Sequence, residues 1–283
     1  MSGDPRAPRW GTIDRVLARL IDRTRLVDRG AVLFDRLRSR LVCSWAPEGA
    51  LDAYNALAYG SSPSYQPGGE GFRDELFPWE WRAIDVFFPL PPARVLIGGA
   101  GGGREALQLA ARGYEVIAFD PVRELVGAMP ATTGGPARAM GYVGSYETLP
   151  AVRTVDGTTM SLQEHTPFAA GICGWASVAH VRTDHARVAA LRAMAALVAG
   201  PILLSVYAPT WLPSARAGVR GGISRWLFGD GAMFLPGIGW VQTFDEAELR
   251  KLIERAGLEI LVLDTSPAID NWPHAIVRTP GPG

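Results

Sequence analysis

The stretch RVLIGGAGGGREALQLAARGYEVIAFD, Arg94–Asp120, sets five glycines within six residues directly after a short apolar run. Val95–Ile97 reads as a strand too apolar to face water, Arg104–Arg112 as a helix stopped by Gly113, and Tyr114–Phe119 as the next strand. A strand, a glycine-rich turn, a helix and a second strand make a unit in which a ligand approaches bare backbone at the carboxyl end of a sheet. Asp120 closes the unit: a short carboxylate at the end of the second strand is placed to accept hydrogen bonds from the two hydroxyls of a ribose. The plainer alternative is that Asp120 only opens a turn with Pro121. On the first reading the stretch is a site for a nucleoside cofactor.

Working outward, the alternation continues. FAAGICGW (168–175) reads as a buried strand, 185–198 as an Ala- and Leu-rich helix, and PILLSVY (201–207) as a further strand. FDEAELRKLIERAGLEILVLD (244–264) is a helix with an acidic first turn and a Gly257 stop, followed by a strand, and HAIVRT (274–279) is the last strand. Such alternation implies a mostly parallel sheet with helices on both faces. Upstream, Ile13, Val16, Leu17, Leu20 and Ile21 recur at helical spacing, a second helix is expected over 32–41, and the Gly-, Ser- and Pro-rich stretch Tyr59–Phe72 is an aromatic loop. A short helix is expected from near Pro78, closed by the prolines at 89, 91 and 92. Between Ala208 and Thr243 the pattern breaks into a Trp-, Gly- and Arg-rich insertion, longer than an ordinary connection and expected to act as a lid. The organisation expected is a helical cover and aromatic loop over 1–75 and one domain over 76–283, with the lid at 208–243.

Composition narrows the partners. Acidic and basic residues balance at 28 each, which argues against nucleic acid or an anionic membrane. No apolar run approaches the ~20 residues of a membrane span, and the N-terminus lacks the apolar core of a signal peptide. Cys43 and Cys173 lie far apart and fit buried thiols, and His165 and His185 have no partner spacing for a metal. A cytoplasmic chain without a metal is expected.

Two cofactor patterns fit the glycines. The nicotinamide dinucleotide fingerprint fails from Gly99, since its last position is Arg104, although a shifted match at Gly101, Gly103 and Ala106 satisfies the relaxed form. The other pattern, Gly99, Gly101 and Gly103, resembles motif I of the class I S-adenosylmethionine-dependent methyltransferases. GYVGSYETLP (141–150) is similar to that family's segment after the third strand, FAAGICGWASVAHV (168–181) to its fourth strand and following loop, and FDEAELRKLIERAGLEI (244–260) to the helix leading into its sixth strand. The resemblance implies a Rossmann-like, doubly wound sheet of seven strands and S-adenosylmethionine as cofactor. Its contacts would fall on Gly98, Gly99, Ala100, Gly101 and Gly103, on Asp120, Pro121 and Val122, and on Ser145 and Tyr146 beside the adenine. Gly174 and Trp175 would also contact the cofactor, Trp175 beside the transferred methyl, against a plain core-aromatic role for that ring.

Two positions depart from the family. Ile97 stands where an acidic residue usually anchors the amino group of the cofactor's methionine part, with Glu105 as the candidate replacement, and Ala169 or Ala170 stands where an Asp often starts the fourth strand. The Asn-Pro-Pro-Tyr and Asp-Pro-Pro-Tyr signatures of nucleobase and glutamine methylation are absent from the sequence. The expected reaction is methyl transfer to an oxygen or nitrogen of a small-molecule or peptide-like metabolite. A nicotinamide-dependent oxidoreductase and a non-catalytic cofactor- or partner-binding module are the alternatives.

On the acceptor side, His180 is the candidate general base, against a plain packing role. Tyr65 in the aromatic loop, and Trp211 and Trp226 interleaved with Arg216, Arg220 and Arg225 in the insertion, would suit a flat acceptor bearing a carboxylate or phosphate. The alternative leaves the rings packing the insertion down and the arginines solvated. The N-terminal helices could also form a homodimer interface.

Overall fold

The computed structural model describes residues 34, 41–42, 45, 49–69, 72, 74–130, 138–208, 231–235, 238–266 and 272–281. The first expected N-terminal helix, most of the second (of which Phe34 and Leu41 are described, both helical), and Trp211, Arg216, Arg220, Arg225 and Trp226 lie outside the described residues.

Helix α1, Ala50–Gly60, runs into a short 3-10 turn, Pro63–Tyr65. Helix α2, Pro78–Phe87, starts where Glu80 accepts a hydrogen bond from the Phe77 N–H at 2.6 Å, and it ends before Pro89, which cannot continue a helix. The central unit then follows as strand β1 (Arg94–Gly98), helix α3 (Arg104–Ala111), strand β2 (Glu115–Asp120), helix α4 (Arg123–Ala128) and strand β3 (Arg138–Val143). Two three-residue strands, β4 (Ala151–Arg153) and β5 (Thr159–Ser161), precede β6 (Ala170–Cys173). After β6 come helix α5 (Asp184–Leu197), strand β7 (Ile202–Ser205) and the hairpin β8 (Ala232–Leu235) and β9 (Gly239–Gln242). Helix α6 (Glu246–Ala256), strand β10 (Glu259–Asp264) and strand β11 (His274–Arg278) complete the chain.

The main sheet has the order β10-β11-β7-β6-β1-β2-β3-β4-β5. β3, β2, β1, β6 and β7 pair in parallel, β11 runs antiparallel to β7, and β10 is antiparallel to β11. The seven strands from β10 to β3 are the doubly wound sheet expected. The sheet is nine strands wide because β4 and β5 fold back antiparallel beside β3. β1 sits buried in the middle with its apolar residues facing both layers, which is why its sequence shows a continuous apolar run and no alternation. One layer packs α5 and α6 over β6 and β7, through Leu191, Met194, Leu249 and Ile253; the other packs α2 and α3, through Trp79, Ile84, Ala106 and Leu109. α6 is held at both ends: Asp245 and Glu248 exchange side-chain-to-backbone hydrogen bonds of 2.8 and 2.9 Å, and Gly257 takes the left-handed φ of 78°.

Two elements depart from expectation. Ala50–Gly60 is a helix, so the aromatic loop begins at its end, and the far part of the insertion is an antiparallel hairpin in which Trp240 is buried. Asn55 joins the two: its Oδ1 accepts from the Trp240 N–H at 2.9 Å and its Nδ2 donates to the Trp240 carbonyl at 3.3 Å. The chain winds from β1 toward β3 on one side and from β6 toward β7 on the other. The crevice of a doubly wound sheet opens between β1 and its neighbours, at their carboxyl ends.

Candidate active site

A cavity of about 1120 Å³ fills that crevice. Small-molecule pockets typically measure roughly 300–1,000 Å³, so this one stands just above the upper end of that range. Its floor is the turn after β1, where Gly99, Ala100, Gly101 and Gly102 face the space. Gly101 has φ 54°, and a Cβ there would meet nothing nearer than Leu125 at 3.9 Å, so the missing side chain leaves open space at the floor. Gly98 and Gly103 turn away: a side chain on the first would strike Phe119 and Tyr146, and on the second Met129. Gly174 also stays off the wall. Its N–H donates to the Gly98 carbonyl at 2.8 Å, and a Cβ would run into the Gly99 carbonyl. These three of the expected cofactor residues let strands and helices approach closely and do not line the cavity.

Asp120 ends β2 and is buried at the cavity wall. Its Oδ2 accepts from the Gly101 N–H and its Oδ1 from the Val122 N–H, both at 2.8 Å. A carboxylate has about four acceptor positions, so two remain for a ligand. Burial pushes its carboxyl up to about 6, against the pull of the two N–H donors, with the nearby Glu105 adding a small upward push. The Pro121 turn expected as the plainer alternative is also there, and the same carboxylate organises it through Val122.

Pro121, Val122, Ser145 and Tyr146 continue the wall. Tyr146 is held by its hydroxyl, 2.7 Å from Ser177 Oγ, and by an edge contact with Phe119. On the opposite side Glu105, from the first turn of α3, accepts from Arg104 Nη2 at 2.8 Å and from the Trp175 N–H at 3.3 Å. Trp175, Tyr65, Tyr59, Tyr207 and Trp272 form an aromatic enclosure above the floor. Tyr59 and Tyr65 meet at 4.7 Å between centroids, and Trp272 bridges Trp175 and Tyr207 at 5.6 and 5.5 Å.

His180 closes the 3-10 turn Ser177–His180 beneath this enclosure. Its Nδ1 lies 3.0 Å from the Trp240 carbonyl and 3.3 Å from Asn55 Nδ2, and its Nε2 lies 3.3 Å from the Tyr59 hydroxyl. A carbonyl can only accept, so Nδ1 carries the proton and Nε2 accepts from Tyr59. Burial drives the ring down to about 4, so it is neutral at physiological pH. The expectation that it titrates near neutral pH is corrected: a group held at 4 is a weak proton acceptor at pH 7. Burial also pushes Tyr59 upward and Tyr207 up to about 12.

Several lining residues escaped the sequence reading. Asn55, Tyr207 and Trp272 reach the cavity from elements up to 217 positions apart in the chain, and no local pattern marks them, whereas Tyr59 opens the expected aromatic loop. For Arg104 the sequence shows a helix start and a break in the dinucleotide fingerprint, and nothing that marks it as a partner of Glu80 and Glu105. Among the described residues no group of three His, Cys, Asp or Glu side chains could hold a metal ion, and no helix is long and apolar enough to cross a membrane.

A ligand crevice at the switch point, a β11 strand inserted antiparallel between β7 and β10, and an acid at the end of β2 define the class. This is the fold of the class I S-adenosylmethionine-dependent methyltransferases. It is similar to a solved SAM-dependent methyltransferase from Methanosarcina mazei, at 18% identity and a TM-score of 0.51 over 72% of this chain and 96% of that one. The CcbJ methyltransferase from Streptomyces caelestis is similar at 13% identity and a TM-score of 0.51, over 70% of this chain and 87% of that one. A family model described as a methyltransferase domain matches residues 73–263, and the chain belongs to that family. No curated protein matches the sequence significantly. Membership sets aside the nicotinamide-dependent oxidoreductase.

Proposed function

We propose that this methyltransferase binds S-adenosylmethionine across the β1 and β2 ends and passes its methyl group to an oxygen or nitrogen of a small-molecule or peptide-like acceptor. The observation that carries the reading is Asp120: a buried carboxylate, fixed by two backbone N–H groups, with two acceptor positions left for the paired hydroxyls of a ribose. The cradle fits the cofactor elsewhere too. The open space at Gly101 admits the chain that joins ribose to the amino-acid end, Tyr146 and Val122 flank the adenine, and Glu105 accepts the ammonium.

When bound, S-adenosylmethionine supplies a methyl group already activated on a sulfonium. What remains for the protein is to align the acceptor and keep water out. Trp175, Tyr65, Tyr207 and Trp272 do the latter, and their faces are suited to a flat acceptor. None of the residues identified at the acceptor end is a strong base at neutral pH, since His180 is held at about 4 and the tyrosines are held protonated. His180 therefore orients the Tyr59 hydroxyl. The nucleophile is one that sheds its proton without a strong base, such as a neutral amine or an acidic hydroxyl.

Mass-spectrometric detection of methylated products across matched panels of aromatic amines, phenols and carboxylated acceptors tests the reaction. The arginines at 216, 220 and 225 enter as a triple alanine variant. Selective loss on acidic members assigns them to an anionic acceptor, equal activity leaves them as surface charge, and absence of any methylated product across broad panels counts against a small-molecule acceptor.

A further inference from the structure

Glu80, Arg104 and Glu105 form a buried ion cluster beside the cavity, and its first member comes from a helix that precedes the whole nucleotide-binding unit. Their side chains are all about 5% exposed or less. Arg104 is fully engaged at its two terminal nitrogens. Nη1 donates to Glu80 Oε2 at 2.8 Å and to the Glu75 carbonyl at 3.3 Å; Nη2 donates to Glu80 Oε1 at 2.6 Å and to Glu105 Oε1 at 2.8 Å. Those four bonds use all four Nη hydrogens, so the guanidinium has no fork left for a ligand carboxylate. Phe77 and Trp175 close over it, with ring centroids 5.4 and 5.2 Å from Cζ.

The charges do not balance. Two carboxylates share one guanidinium, and a buried cluster short of one positive charge is costly until a cation completes it. Burial accordingly pushes the Glu80 carboxyl up, with Glu105 adding to the rise and Arg104 opposing it. The opening for that cation is at Glu105. Its Oε1 takes both protein donors, while its Oε2 has no partner among the described residues and the residue lines the cavity.

We propose that Glu80 is a positioning residue for the cofactor's ammonium group: by gripping Arg104 from α2 in bidentate fashion, it keeps the guanidinium from closing over Glu105 and leaves Glu105 Oε2 to take the ammonium. The inference rests on the cofactor reading above and deepens it. It accounts for Ile97, where an apolar residue is tolerated because the anchoring carboxylate is supplied from α3 and steadied from α2. Without the grip, both terminal nitrogens of Arg104 would turn to Glu105 and neutralise it within the protein.

The test compares S-adenosylhomocysteine with 5′-methylthioadenosine, the same nucleoside thioether lacking the amino-acid end, by calorimetry on the full chain. The parent prefers S-adenosylhomocysteine. Glu80→Gln lowers that affinity about tenfold to a hundredfold and leaves methylthioadenosine binding unchanged, so the preference collapses; Glu105→Gln does the same, and Glu80→Asp, which keeps the charge, retains part of it. A Glu80→Gln protein with the parent's preference, or with both affinities lowered equally, overturns the inference. Should Glu80→Gln fail to fold, Glu80→Asp carries the test: a preference for S-adenosylhomocysteine reduced but not abolished is expected, and the parent's preference, or both affinities lowered equally, overturns the inference. Binding of neither nucleoside by the parent sinks the cofactor reading itself, and this inference with it.

Discussion

Replacing Asp120 by Asn separates its two jobs. In the structure the carboxylate ties the Gly101 and Val122 N–H groups together at 2.8 Å each, and in the proposed complex it also accepts the ribose hydroxyls. Its ionisation rises from the ordinary 3.8 to about 6, so holding it charged at neutral pH costs the fold about 3 kcal/mol. Asparagine removes that cost. It also leaves one of the two backbone N–H groups without its acceptor, which costs about 1–3 kcal/mol. The two effects offset, so thermal melting of the ligand-free protein stays near the parent's. Binding has no such offset: exchanging a charged acceptor for an amide that presents one oxygen loses about 1.5–3 kcal/mol, or about tenfold to a hundredfold in S-adenosylhomocysteine affinity. Calorimetry and melting on the same preparations read both. Unchanged affinity refutes the ribose contact, and a melting loss that tracks the affinity loss shows Asp120 to be a turn residue alone.

The same carboxylate makes binding depend on pH. Because its ionisation in the fold is raised, the stability contributed by its neutral form is present below about 4 and lost as pH rises through about 6, while ligand affinity rises over that interval as the charge appears. Titrations from pH 5 to 8 should show an inflection near 6 that Asp120→Asn flattens; a persisting inflection assigns it to another group. With His180 held at about 4, its ionisation gives methyl transfer no inflection between pH 6 and 8, and His180→Asn lowers the rate without changing the profile's shape. A parent inflection near 6.5 that vanishes in His180→Asn would restore the general base. Gly239→Ala puts a methyl group into the Asn55 side chain at a backbone φ of 91°, at a cost of about 1–3 kcal/mol. Hydrogen exchange should then show α1 losing protection, and parent-like protection at 50–60 refutes its attachment to the hairpin.

The glycine turn and the strands of the core were legible because each is a local signal. Gly99 to Gly103 mark backbone that a ligand or a neighbouring element must approach, and continuous apolar runs mark strands buried on both faces. Helix α1 left little trace. It starts at Gly49 without a side-chain cap, and Asn55 finds its partner 185 positions away. β4 and β5 are three residues each, too short for alternation to register. Glu80 could be read only as an acidic residue in a helix's first turn, since its pairing with Arg104 exists only after folding. His180 shows the other limit: the residue type was visible, but the burial that lowers its pKa was not.

The central claim is a nucleoside-sulfonium site at the ends of β1 and β2, and calorimetric titration of the full chain with S-adenosylmethionine, S-adenosylhomocysteine and NAD tests it most directly. Saturable one-to-one binding of the first two and none of NAD is the predicted result. Binding of NAD in their place, or of none of the three, would contradict it.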